Sequence, residues 1–113
     1  MSVTINTRLS GEVTILDVAG KITLGEGSVL LREKVKELAA AGTKKLLLNL
    51  EGVSYIDSSG IGELVAAFTS ISNGGGSLKL LHLTKRVQDL LQITKLYTVF
   101  DVYDDEGKAV ASF

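Results

Sequence analysis

The chain of 113 residues has no cysteine, no proline, no tryptophan and a single histidine. The lack of cysteine excludes disulfide frameworks, thiolate zinc sites and cysteine nucleophiles, and it fits a reducing compartment. His82 has neither a thiolate nor a second imidazole to complete a transition-metal site, so no metal is expected. Its place in the apolar run Leu78–Leu83 reads as a partly buried structural histidine. Without proline, turns fall to Gly, Asn, Asp and Ser, and a polyproline recognition segment is excluded. Excess charge is missing too: 12 Lys and Arg stand against 13 Asp and Glu, for a net charge of −1. No basic field exists to attract nucleic acid or an anionic membrane. No apolar run approaches the ~18 residues of a membrane span. Met1-Ser2-Val3-Thr4 lacks a charged region followed by an apolar one, so no secretory leader is expected. These absences lead us to expect a cytoplasmic protein that binds neither nucleic acid nor membrane.

What remains is ordinary globular material, 45% apolar and 22% charged. With no repeat and no linker, residues 1–113 are expected to form a single domain, and the mixed surface charge points to a monomer. Val3–Leu9 alternates apolar and polar residues, Ser10-Gly11 signals a turn, and Val13–Val18 is a second strand, which makes an opening hairpin. Ser28 is positioned to cap a helix whose inner face carries Leu31, Val35, Leu38 and Ala39, and Gly42 stops it. Lys45–Leu50 is nearly continuous apolar, as a central strand covered on both faces should be. After Glu51–Ile56 and Asp57-Ser58-Ser59-Gly60, a second helix has Ile61, Leu64, Val65, Phe68 and Ile71 at helical spacing, and Asn73-Gly74-Gly75-Gly76 ends it. Ser77–Leu83 reads as a strand. Thr84 caps a short helix with Val87, Leu90 and Leu91 inward, and Thr98–Val102 reads as a last strand. Asp104-Asp105-Glu106 opens a short terminal helix. The order ββαβαβα, plus that short C-terminal helix, predicts an α/β fold with a mixed, largely parallel sheet of about five strands.

One stretch stands out for chemistry. Asp57-Ser58-Ser59-Gly60-Ile61-Gly62 lies past the carboxyl end of a buried strand, where open α/β sheets place their sites. The helix beginning there offers unpaired N–H groups and a positive dipole. A plain N-cap needs one polar residue, yet three stand in a row. Two glycines in the first turn cost ~1 kcal/mol each in helix propensity relative to Ala. Both features suit an exposed docking surface whose bare first turn lets another molecule approach.

Leu46–Leu50 followed by Val53-Ser54-Tyr55-Ile56-Asp57-Ser58-Ser59-Gly60-Ile61-Gly62 resembles the signature of the bacterial anti-sigma factor antagonists, the STAS domains. Val18-Ala19-Gly20-Lys21-Ile22-Thr23, Leu78-Lys79-Leu80 and Val87–Leu91 extend the resemblance over essentially the whole chain. The resemblance implies a partner switch rather than an enzyme. In its unphosphorylated state such a protein binds an anti-sigma factor that is also a serine kinase, and a sigma factor is freed. The kinase then phosphorylates the first hydroxyl residue after the Asp, here Ser58, with Ser59 the weaker candidate, and a serine phosphatase reverses the mark. Lys21, Ile22, Thr23, Asp57, Ser58, Ser59, Gly60, Ile61 and Gly62 are the expected docking residues. Two positions depart from the family pattern. Sporulation members carry an acidic residue near Thr23 that is missing here, a charge Glu26 is placed to supply. Lys95 stands where many relatives have Gly, so either Lys95 takes a strained backbone conformation or the helix ends differently. The competing reading is an unmodified STAS scaffold subunit of a signalling or transport assembly.

Enzymatic readings find little support. Asp57-Ser58-Ser59-Gly60 is not the Gly-x-Ser-x-Gly elbow of a hydrolase. Gly25-Glu26-Gly27 and Gly74-Gly75-Gly76 lack the Gly-Lys-Ser/Thr of a phosphate-binding loop, and no cofactor is expected. Asp101, Asp104, Asp105 and Glu106 lack calcium-loop spacing and read as a solvated helix start.

Overall fold

The computed structural model describes residues 3–113; Met1 and Ser2, which entered the reading of the N-terminus, lie outside the described residues. The hairpin forms as expected, with β1 (Val3–Ser10) and β2 (Val13–Ile22) antiparallel and Gly11 turning the chain at φ 61°. The chain then alternates: α1 (Glu26–Ala40), β3 (Lys45–Ile56), α2 (Ser58–Asn73), β4 (Ser77–Leu81), α3 (Lys85–Ile93), a 3-10 turn at Leu96–Thr98, β5 (Val102–Tyr103) and α4 (Glu106–Ala111). The five strands lie side by side in chain order, and every pair after the hairpin is parallel.

Burial follows the patterning. β3 is covered on both faces: Leu46, Leu48 and Leu50 join the main core, while Leu47 joins a smaller cluster on the opposite face. The main core is closed by Leu31 and Val35 of α1, Ile61, Leu64, Ala67 and Ile71 of α2, and Val87 and Leu91 of α3. The opposite face is covered by α4, which buries Ala109 against Val13, Ile15, Leu47 and Leu81. An Arg8 fork on that face holds Asp17 (Nε–Oδ2 2.6 Å) and Glu106 (Nη2–Oε1 2.7 Å), so one guanidinium ties α4 to the hairpin. No helix of the described residues is long and apolar enough to cross a membrane.

Three expectations are corrected. Ser28 does not cap α1: the cap position is Gly25, and buried Ser28, inside the first turn, donates its Oγ–H to the Thr23 carbonyl at 2.8 Å. The last strand is not Thr98–Val102 but Val102–Tyr103; Phe100 is instead buried edge-on against Phe68, with centroids 5.5 Å apart. β4 ends at Leu81, so half-buried His82 lies just beyond it at φ 55°, donating its N–H to Tyr103. The other elements fall where expected, although β2 runs on to Ile22 rather than ending at Val18 and β3 runs on to Ile56 rather than Leu50, because the two strands stay paired in parallel to that edge. Thr84 caps α3 by accepting the Val87 N–H, Gly42 follows α1 at φ 87°, and Lys95 takes the left-handed conformation (φ 61°, ψ 21°) after α3.

Candidate functional site

The site is built where β2 and β3 run parallel to the same edge. Their register pairs Lys21 with Tyr55 and Ile22 with Ile56, so both strands finish together. One chain then enters the loop to α1, the other enters α2 through Asp57.

Asp57 is extended (φ −112°, ψ −172°) and caps α2. Its Oδ1 accepts the Gly60 N–H at 2.9 Å, and its Oδ2 accepts the Leu24 N–H at 3.1 Å from the neighbouring loop. These bonds favour the charged form. The Gly60 N–H, then the Leu24 and Ser59 N–H groups, hold the Asp57 carboxyl below the ordinary carboxylate range. The ambiguity of three consecutive polar residues is thus resolved, since Asp57 supplies the cap. Ser58, the first residue of α2, is exposed, and Ser59 is half-buried.

The two glycines of this turn differ. Gly62 is exposed, and a side chain there would meet open space. Gly60 is buried, and a Cβ would strike the Ile22 carbonyl oxygen and lie 2.5 Å from Ile56 Cγ1. Gly60 is therefore small because β2 passes against it, which corrects the expectation that it leaves the turn bare for another molecule. Ile22 and Ile61 are also buried, so they shape the surface from beneath, while Lys21, Ser58 and Gly62 are exposed and Thr23 is partly so.

The loop itself is pinned residue by residue, a feature the sequence reading missed. The Lys21 carbonyl lies under Gly27, where a Cβ would collide with it. The Ile22 carbonyl accepts the Asp57 N–H at 3.4 Å. The Thr23 carbonyl accepts both the N–H (3.1 Å) and the Oγ–H of Ser28, and the Leu24 N–H goes to Asp57. The Gly25-Glu26-Gly27-Ser28 run was the available signal, since a glycine and a serine inside a first helical turn suggest a close backbone neighbour.

Around this platform the surface is apolar for its size. Leu24 is 80% exposed, and Tyr55, Val29 and Leu30 are each about 40% exposed. The Arg86 guanidinium lies 4.4 Å from the Tyr55 ring centroid, and Arg32 bridges α1 to Glu63 of α2 at 2.6 Å. Among the described residues, no three His, Cys, Asp or Glu side chains gather to hold a metal ion. A separate groove of about 280 Å³ lies between α3 and β5, lined by Leu83, Gln88, Leu91, Gln92, Tyr97 and Phe100, without a charged group.

The comparisons with known proteins agree with this architecture. The STAS domain family model matches residues 4–109. The anti-sigma-B factor antagonist of Bacillus subtilis (strain 168) is 35% identical over 102 residues, which cover 90% of this chain and 92% of that protein. A candidate anti-sigma factor antagonist from Thermotoga maritima superposes with a TM-score of 0.88 at 28% identity, over 96% of this chain and 92% of that one. The Bacillus cell fate determinant SpoIIAA, solved in its phosphorylated form, shares the fold alone, with a TM-score of 0.76 at 18% identity over 96% of this chain and 98% of that one. With the five-stranded sheet, the Asp57-capped helix and a match over nearly its whole length, this chain belongs to the STAS domain family, among the anti-sigma factor antagonists.

Proposed function

We propose that this chain is a phosphorylation-controlled partner switch. Unphosphorylated, it docks a serine-kinase anti-sigma factor in the cytoplasm and so releases a sigma factor; phosphorylated on Ser58, it lets go. The observation that carries this reading is the placement of Ser58: exposed, first in α2, and joined to a rigid loop through the Asp57 carboxylate.

In the modifying step the Ser58 Oγ attacks the γ-phosphorus of ATP. Its proton passes to a base of the kinase, and ADP leaves. A serine phosphatase returns the hydroxyl by hydrolysis, releasing inorganic phosphate. The phosphate brings about −1.5 to −2 charges. The α2 dipole and first-turn N–H groups tolerate that charge within the fold. A partner packed over Ser58 and Gly62 meets a bulky dianion beside the ionised Asp57, and burying it unpaired is costly. The switch therefore works by loss of docking, not by unfolding.

The test is intact-mass spectrometry after incubation with candidate serine-kinase anti-sigma factors and ATP, followed by site mapping. The expected result is one phosphate on Ser58, absent in Ser58→Ala. Ser58→Ala is expected to keep wild-type affinity for the kinase and Ser58→Asp to lose at least tenfold. Equal affinity of Ser58→Asp and wild type overturns the reading.

A further inference from the structure

We infer that Leu24 is the apolar anchor of the docking surface and that Asp57 is its positioning residue; the inference rests on the partner-switch reading. Leu24 is 80% exposed and so has almost no packing role within its own chain. Isolated exposed leucines on flexible loops are common and carry little meaning. Leu24 differs because its backbone is held. Its N–H is bound by Asp57, the carbonyl before it by Ser28, and the two carbonyls before that lie beneath Gly60 and Gly27. A leucine presented on fixed backbone loses little conformational freedom on docking, so the apolar area it buries in a partner pocket is offset by only a small ordering cost.

The same geometry links the anchor to the switch. Asp57 holds Leu24 with one oxygen and caps the helix of Ser58 with the other. A dianion on Ser58 is thus placed one residue from the carboxylate that positions the anchor. An apolar pocket closing over Leu24 would have to desolvate that charge. The residue at position 24 then contributes to which kinase is accepted, since a charged side chain there would require a differently lined pocket.

Calorimetric titration and phosphorylation kinetics with one serine-kinase anti-sigma factor test this on the full chain. The set is wild type, Leu24→Ala, Asp57→Asn and Ile93→Ala, the last a control because Ile93 is a comparably exposed apolar residue (75%), the last of α3, and none of the bonds that pin the loop involves it. Leu24→Ala is expected to bind about tenfold more weakly, with KM raised and kcat unchanged. Ile93→Ala is expected to behave as wild type. Asp57→Asn keeps one acceptor and loses the other, so it should reproduce part of the Leu24→Ala defect, and adding Leu24→Ala to it should cost less than in wild type. A Leu24→Ala variant that matches wild type, where wild type binds and is phosphorylated on Ser58, overturns the anchor and leaves the switch standing. A wild type that no such kinase binds or phosphorylates overturns the switch, and the anchor with it.

Discussion

Gly60 and Ile22 meet backbone to backbone: any Cβ at residue 60 would fall inside the Ile22 carbonyl oxygen's contact radius and press on the Ile22 and Ile56 side chains. Both isoleucines are fully buried, so neither can move aside cheaply. Gly60→Ala should therefore destabilise the fold by ~1–3 kcal/mol despite alanine's better helix propensity. Gly62→Ala, two residues on and facing open space, should stabilise it by up to ~1 kcal/mol. Urea unfolding of the pair checks this; equal effects at the two sites would refute the packing argument.

Asp57 joins two segments 33 residues apart in sequence. Asp57→Ala removes the α2 cap and should cost ~1–2 kcal/mol. It should also free the Leu24 amide, which amide hydrogen exchange reports directly as lost protection. Because the carboxyl of Asp57 is held below its ordinary range, its contribution is fully present above the unfolded-state pKa of about 4 and disappears as pH falls through the lower folded value. Leu24 protection in the wild type should fade over that acid window.

The Arg8 fork predicts a second acid response, on the other face. Hydrogen bonds from Arg8 lower the pKa of Asp17 and of Glu106, and the pair raises that of Arg8. The two carboxylates stabilise the docked α4 above about pH 4, and that contribution is lost as pH falls through their lowered values; the Arg8 side persists through neutral pH. The fork is about 40% exposed, so salt should weaken it. Arg8→Met should flatten the stability profile between about pH 2 and pH 5 and raise exchange in α4 at neutral pH. A wild-type profile equally flat there would contradict the assignment.

Lys95 occupies left-handed backbone at the end of α3, at a cost of ~1 kcal/mol for a residue with a Cβ. Lys95→Gly relieves it, and the greater freedom of glycine in the unfolded chain offsets part of the gain. A net stabilisation of up to ~0.5 kcal/mol, seen as a rise of no more than a few degrees in Tm, is expected.

Features with a local cause were legible in the sequence. The helical spacing of Ile61, Leu64 and Ile71, the cap at Thr84 and the stop at Gly42 each depend on neighbours within a few residues, whereas Lys95 was singled out only by the family resemblance. Where the reading erred, a distant partner decided. Val99 and Phe100 look like strand, but Phe100 packs on Phe68 of α2 and the chain pairs with β4 only from Val102. Ser28 looks like a cap, but the carbonyl of Thr23 folds back over the first turn and takes its hydroxyl.

The candidate site divides along the same line. By itself the sequence determined that a serine stands at the start of a helix following a buried strand, because strand periodicity, capping residues and helix periodicity are local properties of Lys45–Asn73. Only the tertiary structure decided that Asp57 rather than Ser58 or Ser59 is the cap, that Gly60 is small to admit β2, and that the backbone of exposed Leu24 is held by the Asp57 carboxylate. All three follow from the parallel pairing of β2 with β3, which brings Ile22 level with Ile56, and no local pattern of side chains encodes a register across so long a separation.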